Sequence, residues 1–432
     1  MSASVTIRMY NVGFGDCFLV TVRDGAEVRR LLIDCGVHTQ GQVRPIRETV
    51  AKVIADLTAA CAPLPPRLDV VVATHHHADH ISGFAVDDWE GVEVGEVWVP
   101  YVEDGDDPTA KQLRQVAQNL QALAAFISQD KRRFAEAGSG YREAAMMLAA
   151  NSRGNARATD RLLGRNGLGF AGMPEVKFRP STDEAANVIP LGIDGVSAHI
   201  LGPPRDLDLL RKMDPPKQVA WLRVGPESPG PVAASGVTGG ALFGTDFVVT
   251  DQLSLPLGLL QARGRLKLSL DWDLLSAASL LERVVNNTSL FFVLDVQGTR
   301  LVFPGDAQHG AWEHVLNDER AGALLADAAF YKIGHHGSHN ATPKPFIESV
   351  WRDGGYAMLP WGLVERWRLT IPKQEILDSL ARHHHTLIRA DETEEAVGDV
   401  RVDPTWSSEI TLPLTGGGQA EVGVDPAQAR KA

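Results

Sequence analysis

The amino-acid sequence predicts an α/β fold in which helices and sheets are layered. Short runs of high β-propensity alternate with segments of helical period. Several of these runs are apolar throughout and end in loops of Gly, Asp and His, as buried strands of layered α/β domains do. Composition agrees: 44% of residues are apolar and 22% charged, the balance of a packed globular chain and not of a disordered or fibrous one.

The chain has 432 residues, 54 acidic against 42 basic, and a formal net charge of −12. That charge argues against a nonspecific nucleic-acid coat and leaves local basic patches open. Three cysteines, Cys17, Cys35 and Cys61, are too few for a disulfide scaffold. No uncharged apolar stretch approaches the roughly 18 residues of a membrane span, and the N-terminal residues lack a basic region leading into an apolar one. A cytoplasmic protein without membrane association is therefore expected.

In chain order, residues 5–10, 18–22 and 31–33 read as strands separated by turn residues such as Gly13, Gly15 and Gly25. Ile46, Val50, Val53, Ile54 and Leu57 share one helix face, and that helix stops before Pro63, Pro65 and Pro66. Strands follow at 69–73 and 94–99. Residues from about 106 to 169 change character: 113–127 and 141–150 carry helical periodicity with no strand directly after either, which makes a helical insertion. A strand at 196–201 precedes a mixed insertion over about 203–285, whose 225–240 stretch is rich in turn formers, as a lid or mobile loop is. The β/α rhythm resumes with strands at 290–295, 299–303 and 329–333, helices at 311–316 and 372–382, and a strand at 386–389. Residues 1–415 form one domain in this reading, and 416–432 a flexible tail.

Residues 74–80 read THHHADH, directly after a buried strand. Imidazoles and a carboxylate packed so tightly at a strand end can converge on divalent metal. Asp306 in Gly305-Asp306, and His335 and His336 in Gly334-His335-His336-Gly337-Ser338, follow two further apolar strands. Side chains at such strand ends are where α/β sheets meet ligands.

These segments resemble the metallo-β-lactamase fold, and more specifically the cytosolic hydrolase domain of ComEC-type DNA-uptake proteins. The resemblance is carried by NVGFGDCFLV at 11–20, LLIDCG at 31–36, THHHADHISG at 74–83, NNTSLFFVL at 286–294, LVFPGDA at 301–307 and KIGHHGS at 332–338. It covers about 5–100, 190–202 and 285–395 and leaves both insertions outside. It implies an αββα sandwich with a metal site along one edge of its sheets, and a metal-dependent hydrolase with two divalent ions, Zn or Mn.

Carried over residue by residue, His75 and His77 bind one metal, Asp79 and His80 the other, Asp306 bridges them, and His336 completes the second site. His335 is the rival of His336, or a contact to the leaving group. Asp79, Asp306 and His335 are the residues expected to take part in catalysis. Asp34 matches an aspartate that orients a ligand imidazole, and Asp16 is a weaker candidate for the same work. Ser338 is a candidate substrate contact. Two departures stand out. No third histidine for the first metal is evident between Gly83 and Asp306, since His199 reads as sheet packing. Asn286 or Asn287 would make that site oxygen-rich, which favours harder ions such as Mn²⁺ or Mg²⁺. Residues 370–372 read Thr-Ile-Pro where the resemblance leads one to expect His before Pro.

Arg153, Arg157, Arg161 and Arg165 recur every fourth residue and would line one helix face, a candidate phosphate-binding row. Arg366, Arg368 and Lys373 with Trp361 and Trp367 make a smaller basic and aromatic cluster. The triple His383-His384-His385 closes a helix, where cations suit the dipole, and Cys17 and Cys35 read as packing residues. The function expected is a phosphodiesterase or nuclease in which a hydroxide held between the metals attacks phosphorus, with a nucleic acid or nucleotide as substrate. The alternative is hydrolysis of a small molecule (lactone, thioester or cyclic nucleotide), and a non-catalytic scaffold is a third reading.

Overall fold

The computed structural model describes residues 3–113, 155–216, 220–221, 285–392 and 400–414. The chain divides into two compact units, and every described residue belongs to the one made of Met1–Val116, Ala150–Leu222 and Glu282–Ala432. The helices expected over 113–127 and 141–150 lie outside the described residues apart from Leu113. So do most of the mixed insertion, including 225–240, and the tail from 416.

Two sheets face one another. The first has strands β1 (Ser4–Tyr10), β2 (Cys17–Asp24), β3 (Glu27–Cys35), β4 (Arg67–Val72), β5 (Glu93–Pro100), β6 (Glu175–Arg179), β14 (Val400–Asp403) and β15 (Ser407–Pro413), in the order β14-β15-β1-β2-β3-β4-β5-β6. The second has β7 (Val188–Pro190), β8 (Val196–Gly202), β9 (Phe291–Val296), β10 (Thr299–Phe303), β11 (Ala328–Lys332), β12 (Tyr356–Leu359) and β13 (Thr386–Arg389), in the order β13-β12-β11-β10-β9-β8-β7. Each sheet is antiparallel in one half and parallel in the other: β3, β4, β5 and β6 run parallel in the first, and β10, β11, β12 and β13 in the second.

The period of two along each strand decides the layers. Phe292, Leu294 and Val296 of β9 point between the sheets, where they meet Ile7, Val20, Ile33 and Val72 of the first sheet in one buried cluster. Phe291 and Val293, the alternate residues, pack outward against Trp312, Val315, Leu324 and Leu380. On the other side Leu32, Val71 and Val97 pack against Val50, Val53 and Leu57 of the helix Ile46–Cys61. The result is the expected αββα metallo-β-lactamase sandwich.

Strands outside the expected core complete the sheets. β15 pairs antiparallel with β1 from Ser4↔Pro413 to Tyr10↔Ser407, so residues 400–413 extend the first sheet. β6 extends its other edge beside β5.

Candidate metal centre

The site is assembled from the ends of β3, β4, β10 and β11 and the turn before β2. Asp34 lies near the end of β3, Thr74 to His80 follow β4, Gly305 and Asp306 follow β10, and His335 and His336 follow β11. Close backbone approach shapes these turns. A side chain on Gly305, whose φ is +58°, would meet Ser289 and Thr74 carbons at 2.8 and 2.9 Å. His335 and His336 hold φ of 46° and 53°, a left-handed conformation that costs non-glycine residues energy and that collects at functional sites.

Four predicted ligands converge. Ligand atoms of Asp79, His80, Asp306 and His336 all lie within 4.8 Å of one another, and all four residues are buried. His336 Nε2 is 3.3 Å from Asp79 Oδ2, while its Nδ1–H donates to the Pro360 carbonyl at 2.8 Å. His80 Nε2 is 3.1 Å from Asp306 Oδ2. Asp34 holds the other side of that ring: its Oδ2 is 2.7 Å from His80 Nδ1 and accepts the Thr74 hydroxyl at 2.7 Å, and its Oδ1 accepts the Thr74 N–H at 2.7 Å. Asp34 thus contacts His80 on the ring nitrogen opposite the one that faces Asp306. Of the rival pair, His336 and not His335 enters the four-ligand group.

His75 and His77 sit beside this group. Their nearest ring nitrogens are 3.1 Å apart, and the His75 ring stands 4.1 Å from the His80 ring, centroid to centroid. His75 Nδ1 is 3.2 Å from the hydroxyls of both Thr74 and Ser289. His76, between them in sequence, contacts Glu103 at 2.9 Å instead.

The donor set fits a divalent cation. Asp79 Oδ1 is buried with no hydrogen-bond partner among the described residues, a costly arrangement for a polar atom unless something binds there. The charge states suit ligation too. Burial and the neighbouring imidazoles hold His75 well below its ordinary value, and burial lowers His77 to about 3, so both are neutral bases. Asp79 is held well below the carboxylate range because His336, His80 and His77 outweigh its burial, and Asp306 because His80, Lys332 and His335 do. His80 moves the other way: burial opposes its cation, but Asp306, Asp16 and Asp34 together raise it.

Other predicted residues fall elsewhere. Asp16 is buried behind the cluster and ion-paired to Lys332, with its Oδ2 3.5 Å from His80 Nδ1 and its N–H donating to the Asp79 carbonyl. Ser338 is buried, and its hydroxyl donates to Asn340 at 2.9 Å. Asn287 is spent on backbone: it donates to the carbonyls of Leu210 and Lys212 and accepts from the N–H groups of Gln308 and Ala311. His199 lies within β8 against Ser197. Trp361 is buried, and Trp367 packs 4.8 Å from Phe14, whose ring lies 3.9 Å from His336.

The arginine row is corrected. Arg153 lies outside the described residues. The helix covers only Ala156–Leu162, so Arg165 falls beyond it. Arg161 is fully buried, donating to the carbonyls of Phe84 and Gly169 and pairing with Asp87, which Arg157 also contacts. A spacing of four fixes a shared helix face and leaves undecided whether that face meets solvent or the body of the protein.

Lys332, Thr74 and Ser289 were missed as members of the site. A lysine inside the apolar run at 329–333 was the available signal, because an ammonium there needs buried partners.

Residues 10–86 match the family model of the metallo-beta-lactamase superfamily. That segment carries Asp16, Asp34 and the whole 74–80 loop; Asp306 and His336 lie beyond it. No curated protein matches the chain.

Proposed function

We propose that this protein is a metal-dependent hydrolase of phosphodiesters, a phosphodiesterase or nuclease. The observation that carries the hydrolase reading is the convergence of the buried Asp79, His80, Asp306 and His336 on one group, with Asp79 Oδ1 left without a hydrogen-bond partner among the described residues. Divalent metal bound there would supply Lewis-acid charge and an acidified water. The chain's own residues do the rest. Asp34 fixes the His80 ring, the Pro360 carbonyl fixes the His336 tautomer so that Nε2 faces Asp79, and Ser289 spans His75 and the Asp306 backbone N–H. His335 keeps a ring nitrogen outside the four-ligand group, suited to handling a proton at a substrate oxygen. The His75 and His77 pair, without a third histidine, makes a weaker place for a second ion.

The phosphodiester reading is supported by the segments that resemble ComEC-type hydrolase domains, from NVGFGD to KIGHHGS. A second reading, hydrolysis of a small uncharged ester such as a lactone or thioester, is favoured by the commitment of Arg157 and Arg161 to Asp87 and backbone carbonyls. A screen with Mn²⁺ and Zn²⁺ against single-stranded DNA, RNA, cyclic nucleotides and lactones separates them. Metal-dependent cleavage of a polynucleotide or cyclic nucleotide supports the first, and turnover of lactones alone supports the second.

A further inference from the structure

Lys332 ends β11 with 2% of its surface exposed. An ammonium has three N–H donors and, when buried, requires an acceptor for each. Lys332 finds three: the Gly305 carbonyl at 3.1 Å, Asp306 Oδ1 at 3.2 Å and Asp16 Oδ2. Asp306 Oδ1 also accepts the His335 N–H at 3.0 Å. One oxygen of this carboxylate is thus occupied from two directions, while Oδ2 faces His80 Nε2 at 3.1 Å.

We propose that Lys332 is a positioning residue of the metal centre, a resident cation that clamps Asp306 between Asp16 and the 305–306 turn so that Oδ2 alone is presented to metal. This rests on the reading of the cluster as a metal centre. A carboxylate without the clamp could rotate about its last bond and offer either oxygen. Asp16 in this view is the counter-charge that lets the lysine stay buried; it holds the clamp and takes no place among the ligands.

Removing Lys332 alone also makes the pocket more negative, which by itself favours a cation. The informative variant is therefore Asp16→Asn with Lys332→Met, in which the lost charges cancel and neither member of the Asp16–Lys332 pair is left as a buried charge facing a neutral partner. Wild type, Asp16→Asn, Lys332→Met and the double variant are compared by thermal melting, by Co²⁺ affinity in competition with a chromophoric chelator, and by the visible spectrum of the Co²⁺ protein. The double variant should melt as a folded protein, bind Co²⁺ about 10- to 100-fold more weakly, and show a shifted visible band, while Asp16→Asn alone, which keeps the lysine but loosens its hold, should fall between wild type and the double variant. Wild-type affinity and spectrum in the double variant overturn the clamp and leave the metal centre standing. A double variant that does not fold, beside a folded Asp16→Asn, assigns Lys332 to the scaffold and overturns it equally. Failure of the wild type itself to bind Co²⁺ removes the metal centre and the clamp together.

Discussion

His336 Nε2 lies 3.3 Å from Asp79 Oδ2 across 257 residues of chain. The contact joins a loop of the first sheet to a loop of the second, so the candidate metal site is assembled only when both sheets are packed. Metal should therefore raise the stability of the whole sandwich, since it binds the folded chain and not the dispersed ligands. The melting temperature should rise with added Mn²⁺ or Zn²⁺ in wild type and not in His336→Ala. An equal rise in both would place the stabilising ion elsewhere.

Asp306→Asn should reduce metal-dependent hydrolysis by more than about 100-fold, because the loss of an orienting partner alone costs about 10- to 100-fold and Asp306 is one of the four residues proposed to hold the metal. The amide keeps the shape and can still accept from the His335 N–H. Full turnover by the folded variant would remove Asp306 from the site.

Asp34→Asn tests the support of His80. The carboxylate engages His80 Nδ1, the Thr74 hydroxyl and the Thr74 N–H, and an amide can serve only part of that set. Metal affinity should fall about 10- to 100-fold with little change in KM. A change in KM alone would make Asp34 a substrate contact.

Much of the fold was legible because its signals are local. The strands at 5–10, 69–73 and 299–303 show themselves through apolar runs, and the 74–80 loop puts five ligand-type side chains within seven residues. β15 was not legible. Its sequence, SSEITLP, carries modest strand signal, and it forms because β1 presents an edge that a distant segment fills. The exclusion of His335 from the ligand group was illegible too, since both histidines adopt a left-handed backbone that their types do not announce.

Arg161→Gln should destabilise the protein by about 2 kcal/mol, because carbonyls of Phe84 and Gly169 lose a charged donor. Arg157→Gln, at an exposed ion pair, should stay within about 0.5 kcal/mol. If the protein binds a polynucleotide, the salt dependence of that binding should not change in Arg161→Gln, measured with a short labelled strand at several salt concentrations. A flatter salt slope in a stable variant would return Arg161 to the phosphate row.

Acid should destabilise the metal-free protein through its buried neutral histidines. Burial lowers His385, which stacks on Trp351 at 3.6 Å, to about 4. The unfolded chain takes up that proton near 6.5 and the folded chain does not until about 4, so this contribution to stability is lost as pH falls between those values. His80 has the opposite sign: its contribution is full below about 6.5 and is lost as pH rises through its raised folded value. His385→Gln, remote from the ligand group, should flatten the fall in denaturation midpoint between pH 6.5 and 4. An unchanged slope would show that His385 titrates alike in both states.

The most direct measurement is anomalous scattering at the metal edge from crystals grown with Mn²⁺ or Zn²⁺. A peak should lie about 2.0–2.3 Å from ligand atoms of Asp79, His80, Asp306 and His336, with a second, weaker peak at His75 and His77. Strong metal peaks that avoid these six residues, or none at saturating metal, would contradict this placement.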